Sequence, residues 1–208
     1  MVDVLALQRA GADGASVGTT LGSIGSTLAA INIACTIFKF RAPGMTFMRM
    51  PLFCWTALCT SILMVFSMTP LTLATLMLWL DRHFGFHFFT VDAGGNLMNY
   101  ANLFWLFGHP EVYIIFLPAA GAMSTIIPVV ARTRLVGHRM VVMAMLATGF
   151  ISFGVWSHHM FTTGMPVLSV SFFSAASMAV SVPAGVQVFS WIATFAVGRA
   201  RHNTPTLF

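Results

Sequence analysis

Long apolar runs separated by short polar joints set the pattern of this chain. Five runs can be read, over Leu21–Phe38, Leu52–Leu80, Leu103–Val130, Met140–Met165 and Val170–Val197. A helix needs about 20 residues to cross a hydrocarbon core of about 30 Å. Backbone polar groups in lipid must be satisfied internally, so spans of this kind are helical. The pattern predicts an all-α integral membrane protein with five transmembrane helices in one membrane domain over 21–198. An N-terminal segment, 1–20, precedes it and a cytoplasmic tail, 199–208, follows. The first run is short and rich in Gly, Ser and Thr, which suits close helix packing in lipid. The first twenty residues contain Asp3 and Asp13 and no compact apolar core, so they do not read as a secretory signal.

Composition narrows the class. Of 208 residues, 58% are hydrophobic and 7% charged, where a soluble domain is about a quarter charged. That excludes a soluble enzyme, a disordered tail and a nucleic-acid-binding module. The net charge of +5 acquires meaning once the bases are placed. Lys39, Arg41 and Arg49 follow the first run, Arg132, Arg134 and Arg139 the third, and Arg199 and Arg201 the fifth. These lie on one side of the membrane, which the positive-inside rule makes cytoplasmic, or the matrix in a mitochondrion. The basic balance is therefore a topology signal, with no basic patch left over for nucleic acid. The same topology starts the first helix outside, an unusual beginning that suggests further chain before residue 1. Cys35, Cys54 and Cys59 lie in apolar surroundings and read as packing residues, with no metal spacing or disulfide framework.

Ionisable side chains at membrane depth are costly and mark functional sites by default. The third run holds His109, Glu111 and Tyr113, and the fourth holds His158 and His159. Glu111 is the only glutamate of the chain. His109 lies shortly after the third run enters from outside, and His158 shortly before the fourth leaves. At 1.5 Å per residue both sit roughly 9–10 Å below the outer boundary. His109 and Tyr113, four apart, share a helix face despite Pro110. Adjacent His158 and His159 cannot point the same way on a regular helix, so a shared ion needs local distortion or long side-chain reach. Three neutral imidazoles suit copper, zinc or iron, with a position left open for a small ligand. The other reading is that each histidine hydrogen-bonds a neighbouring helix. A proton or metal transporter using Glu111 and the histidines is a second functional class.

Phe104–Tyr113 reads FWLFGHPEVY and Trp156–Thr162 reads WSHHMFT. With RAPGM at 41–45, MPLF at 50–53, LDR at 80–82 and VFSWIAT at 188–194, they resemble subunit I of the A-type haem–copper terminal oxidases. The similarity runs from about Ala29 to Thr194 and corresponds to the fourth to eighth helices of a twelve-helix bundle. The resemblance implies a respiratory oxidoreductase that reduces O₂ to water with electrons from cytochrome c or quinol, coupled to proton translocation. It implies His109, His158 and His159 as ligands of the copper called CuB. Tyr113 matches a tyrosine covalently joined to the first of these histidines, which supplies an electron and a proton. Glu111 matches a proton-gating glutamate, whose carboxyl can hold and release a proton in a dry site. Trp105 and Trp156 match aromatic residues near the centre. Implied partners are membrane lipid, an electron-delivering subunit II and a subunit III. The implied location is the bacterial inner membrane rather than the mitochondrial one.

This chain also departs from the family. The helices carrying the axial ligands of two haems are absent, and His83, His87, His138 and His202 match none of those ligands. Alone, the chain forms only the copper half of the site and is expected to be inactive. Gln187 stands where the family usually has lysine, Ala184 stands for threonine, and Ser124 matches the polar entrance of that proton route. Glutamine can hydrogen-bond a water chain but cannot take up a proton and its charge. The loop at 165–173, MPVLSVSFF, lacks the acidic and arginine residues common there. These changes keep open a diverged or truncated homologue without activity.

Overall fold

The computed structural model describes residues 4–200, and no strand occurs among them. Six α-helices, α1 (Val4–Lys39), α2 (Leu52–Phe84), α3 (Leu97–Ala131), α4 (His138–Ser152), α5 (Val167–Ala179) and α6 (Ser181–Val197), build the bundle. A 3₁₀ turn over Trp156–Thr163 extends α4. Five stretches are long and apolar enough to cross a membrane: Ala10–Lys39, Leu52–Phe84, Leu97–Ala131, His138–Thr163 and Val167–Val197. The five-span, all-helical expectation is met.

Boundaries differ where side chains do something the hydropathy pattern does not register. The stretch before Leu21 was expected to be a separate segment, but helix α1 already begins at Val4. Its polar residues are absorbed by the helix. The hydroxyls of Ser16, Thr19, Thr20, Ser23 and Thr27 each donate to a carbonyl three or four residues back. Asp13 accepts from Arg82 of α2 at 2.6 Å. Farther in, the Thr20 and Thr75 hydroxyls meet at 2.8 Å between α1 and α2. The fifth run divides into α5 and α6 around Val180. Pro183 has no N–H for the carbonyl of Ala179, and its ring crowds that carbonyl. Most of the proposed tail, 201–208, lies outside the described residues.

The core sits where α2, α3 and α4 meet, around Leu52, Cys59, Leu63, Leu117, Val141, Val142 and Met145. Tyr113 packs against it from α3. Helix α3 approaches α2 closely through Gly121, where a Cβ would overlap the Thr56 side chain. At one end of the bundle the Asp81 carboxylate accepts from the N–H groups of Phe88 and Phe89, each at 2.8 Å. At the opposite end the Arg199 N–H donates to Ala131 O at 2.8 Å, and the Val136 N–H to Thr194 Oγ1 at 3.0 Å. Large side chains including Phe66, Ile115, Phe150 and Phe189 face outward, as a bilayer-facing surface requires.

Candidate metal centre

Helix α4 ends at Ser152, and the backbone turns at Phe153–Val155 before re-forming as a 3₁₀ turn. Within it Met160 leaves helical geometry, with φ −122° and ψ 18°. Of the two ways for adjacent histidines to share one centre, distortion or long reach, this is the first, and it breaks the helix expected over 140–165. His158 and His159 swing toward one point, with their Nε2 atoms 3.1 Å apart. His109 reaches the same point from α3, its Nδ1 3.2 Å from His159 Nε2.

One ring nitrogen from each histidine lies within 4.8 Å of the other two. Two nitrogens bound to one ion at about 2.0–2.1 Å in tetrahedral geometry are about 3.3 Å apart. The observed separations therefore suit a three-nitrogen site. His109 is 5% exposed. Its Nε2 is buried with no hydrogen-bond partner. The Tyr113 ring lies beside it, centroid to centroid 4.9 Å.

The imidazoles are held from behind. Ser177 Oγ on α5 donates to Phe173 O at 2.6 Å. Its single proton is thereby used, so across 2.6 Å it accepts from His158 Nδ1–H. That fixes the tautomer and turns the His158 Nε2 lone pair toward the other two rings. The Trp105 indole stacks on His159 at 4.0 Å with planes 6° apart. Trp156 is placed differently: its indole reaches Asn102 Oδ1 at 3.4 Å, and its ring packs on Phe173. Ser177 was not singled out from the sequence. One serine in an apolar helix gives no signal until α5 is placed behind the histidines.

Glu111 is two residues from His109 and points away from the cluster, onto an exposed face of α3. No described residue bonds its carboxylate. Gln187 is 0% exposed between α6 and its neighbours, and its Oε1 has no hydrogen-bond partner. Its Nε2 makes only a long contact to Pro183 O, 3.5 Å. Ser124 is buried on α3, where its Oγ accepts from Trp191 Nε1 at 2.9 Å. His83 lies near Asp13, 3.5 Å away, and His87 is exposed in the loop between α2 and α3. His138 opens α4.

The chain matches the family described as Cytochrome C and Quinol oxidase polypeptide I over residues 4–208. It is 45% identical over 192 residues to cytochrome c oxidase subunit 1 of Bacillus subtilis (strain 168), covering 92% of this chain and 31% of that one. It is 47% identical to quinol oxidase subunit 1 of the same organism, with 92% and 30% covered. Cytochrome bo(3) ubiquinol oxidase subunit 1 of Buchnera aphidicola (subsp. Acyrthosiphon pisum, strain APS) is 45% identical over 188 residues, covering 90% of this chain and 28% of that one. The chain thus spans about 30% of the length of these relatives.

Proposed function

Because the chain belongs to the cytochrome c and quinol oxidase polypeptide I family, we propose that it is part of the catalytic subunit of a terminal oxidase, reducing O₂ to water and coupling this to proton translocation. The observation that carries the reading is the convergence of His109, His158 and His159 within a membrane-spanning bundle, with Tyr113 beside them. The five spans fit part of that family's helical bundle and correspond to its fourth to eighth helices. The whole subunit carries two haems, works with subunits II and III, and takes electrons from cytochrome c or quinol. It resides in the bacterial inner membrane.

In this reading the three histidines hold CuB through His109 Nδ1 and the Nε2 atoms of His158 and His159. Bound copper supplies one-electron redox chemistry and an open coordination position for O₂. The rest of the task falls to the chain's own groups. Ser177 holds the His158 tautomer, and Trp105 limits rotation of the His159 ring. Tyr113 provides a phenolic proton and electron beside the ligands. The orphaned His109 Nε2 next to its ring supports the covalent link that the family resemblance implies. Glu111 serves as a proton carrier: a carboxyl at this depth needs water or further protein against it, and its exposed face on α3 leaves room for either.

The test is metal and optical analysis of the complete complex. Wild type holds copper, and His158→Ala with His159→Ala loses it. Copper absent from the wild type, or retained by the double variant, sinks the assignment.

A further inference from the structure

Hydroxyls on α2 divide into two kinds. Those of Ser61, Thr69, Thr72 and Thr75 each donate to the carbonyl four residues back, and that of Thr56 donates to Phe53 O. A hydroxyl inside an apolar helix is commonly satisfied in this way. Thr60 Oγ1 and Ser67 Oγ are not. Both atoms are buried with no hydrogen-bond partner among the described residues. Ser67 is 0% exposed and Thr60 9%. The helices of this chain alone bury them, and further protein or lipid around the bundle can only bury them more. A hydroxyl left unpaired away from water is costly.

Helix α3 carries the matching deficit. Pro110 and Pro118 lie inside it. A proline has no N–H, so Leu106 O and Ile114 O lose the donors that a regular helix would give them. The two deficits face each other. Gly121 meets Thr56 where α2 and α3 pack antiparallel. Stepping along both helices from that contact at 1.5 Å per residue brings Thr60 level with Leu117 and Pro118, and Ser67 level with Pro110. Helical spacing keeps Thr56, Thr60, Leu63 and Ser67 on one face of α2, and Gly121, Leu117, Ile114 and Pro110 on one face of α3. Burial agrees with this register: Leu63, Leu117 and Pro110 are all almost wholly enclosed.

We propose that Ser67 and Thr60 each hold an ordered water between α2 and α3, and that these waters return a hydrogen bond to Leu106 O and Ile114 O respectively. Each hydroxyl donates to its water, and the water donates to the carbonyl. Prolines are tolerated in membrane helices where neighbouring hydroxyls and ordered waters satisfy the carbonyls they free. A buried water needs at least two polar partners of this kind. An apolar guest would leave both partners unsatisfied, and one hydroxyl with one carbonyl is too small a donor set for a cation. The Ser67 water holds the turn of α3 that carries Trp105 and His109. Neither site needs a metal in the histidine cluster, and neither depends on the proposed oxidase activity.

The complete complex carrying this chain is imaged by electron cryo-microscopy at a resolution that shows water. Wild type has a peak within about 2.5–3.0 Å of both Ser67 Oγ and Leu106 O, and a second joins Thr60 Oγ1 to Ile114 O. Ser67→Ala loses the first peak and keeps the second, and Thr60→Val does the reverse. Pro118→Ala gives α3 back its missing donor, so the peak beside Thr60 disappears although Thr60 is unchanged. Thr60→Val lowers the unfolding temperature of the wild type but lowers it no further in the Pro118→Ala background, the non-additivity expected of a shared water. If Pro118→Ala does not assemble, the two hydroxyl variants decide the matter alone. Hydroxyls bonded to Leu63 O and Thr56 O, or bonded directly to the α3 carbonyls, overturn the proposal. So do peaks that persist in Ser67→Ala and Thr60→Val.

Discussion

The Ser177 hydroxyl has one proton, and Phe173 O receives it. Everything His158 presents to the other imidazoles depends on that small fact. Ser177→Ala removes the acceptor for Nδ1–H and frees the ring to rotate or change tautomer. Copper affinity should fall about 10–100-fold, read by chelator competition on the purified complex, and Ser177→Thr should restore it. Unchanged copper retention in Ser177→Ala would remove this residue from the site. Gln187 poses the complementary case, a buried amide with an unpartnered oxygen on a proposed proton route. Gln187→Lys supplies an ionisable group and should speed reduction of the metal centre in stopped-flow measurements. The same change lowers thermal stability, because a buried charge without a partner is costly. No change in the reduction rate would mean that other groups supply those protons.

At the scale of elements, α2 and α3 meet through a contact that leaves no room for a methyl group. Gly121→Ala drives a Cβ into Thr56, and the helices must separate or shift. Overpacking of this kind costs about 1–3 kcal/mol and should appear as a lower unfolding temperature in detergent. Adding Thr56→Ala should recover part of that loss. If Gly121→Ala is as stable as wild type, the close approach does not set this packing. Element types were legible from hydropathy because the runs after the first are long. Their ends were not: the hydroxyls of α1 bond their own helix, so a polar stretch stays helical. The turn after α4 was foreshadowed only by the argument that two adjacent histidines cannot share a face.

For the whole molecule, charge placement predicts orientation. With Cys35 replaced, a cysteine at Ala42 should react with an impermeant thiol reagent only in inside-out vesicles. A cysteine at His87 should react only in right-side-out ones. Labelling of both from the same side would defeat the topology. What the sequence determined by itself was the membrane class and the number of spans; it also supplied the expected orientation and the candidate metal ligands. Each of these follows from local hydropathy, charge position or motif spacing. Only the tertiary structure decided which nitrogen of each histidine faces the common point, that Ser177 stands behind His158, and that Trp105 stacks on His159 while Trp156 does not. It also placed Glu111 on the far face of α3 and left Gln187 without a partner for its oxygen. The physical reason is directional. Hydropathy depends on how much of a side chain leaves water, whereas ligation and hydrogen bonding depend on where a lone pair points, and that is set by helices distant in sequence.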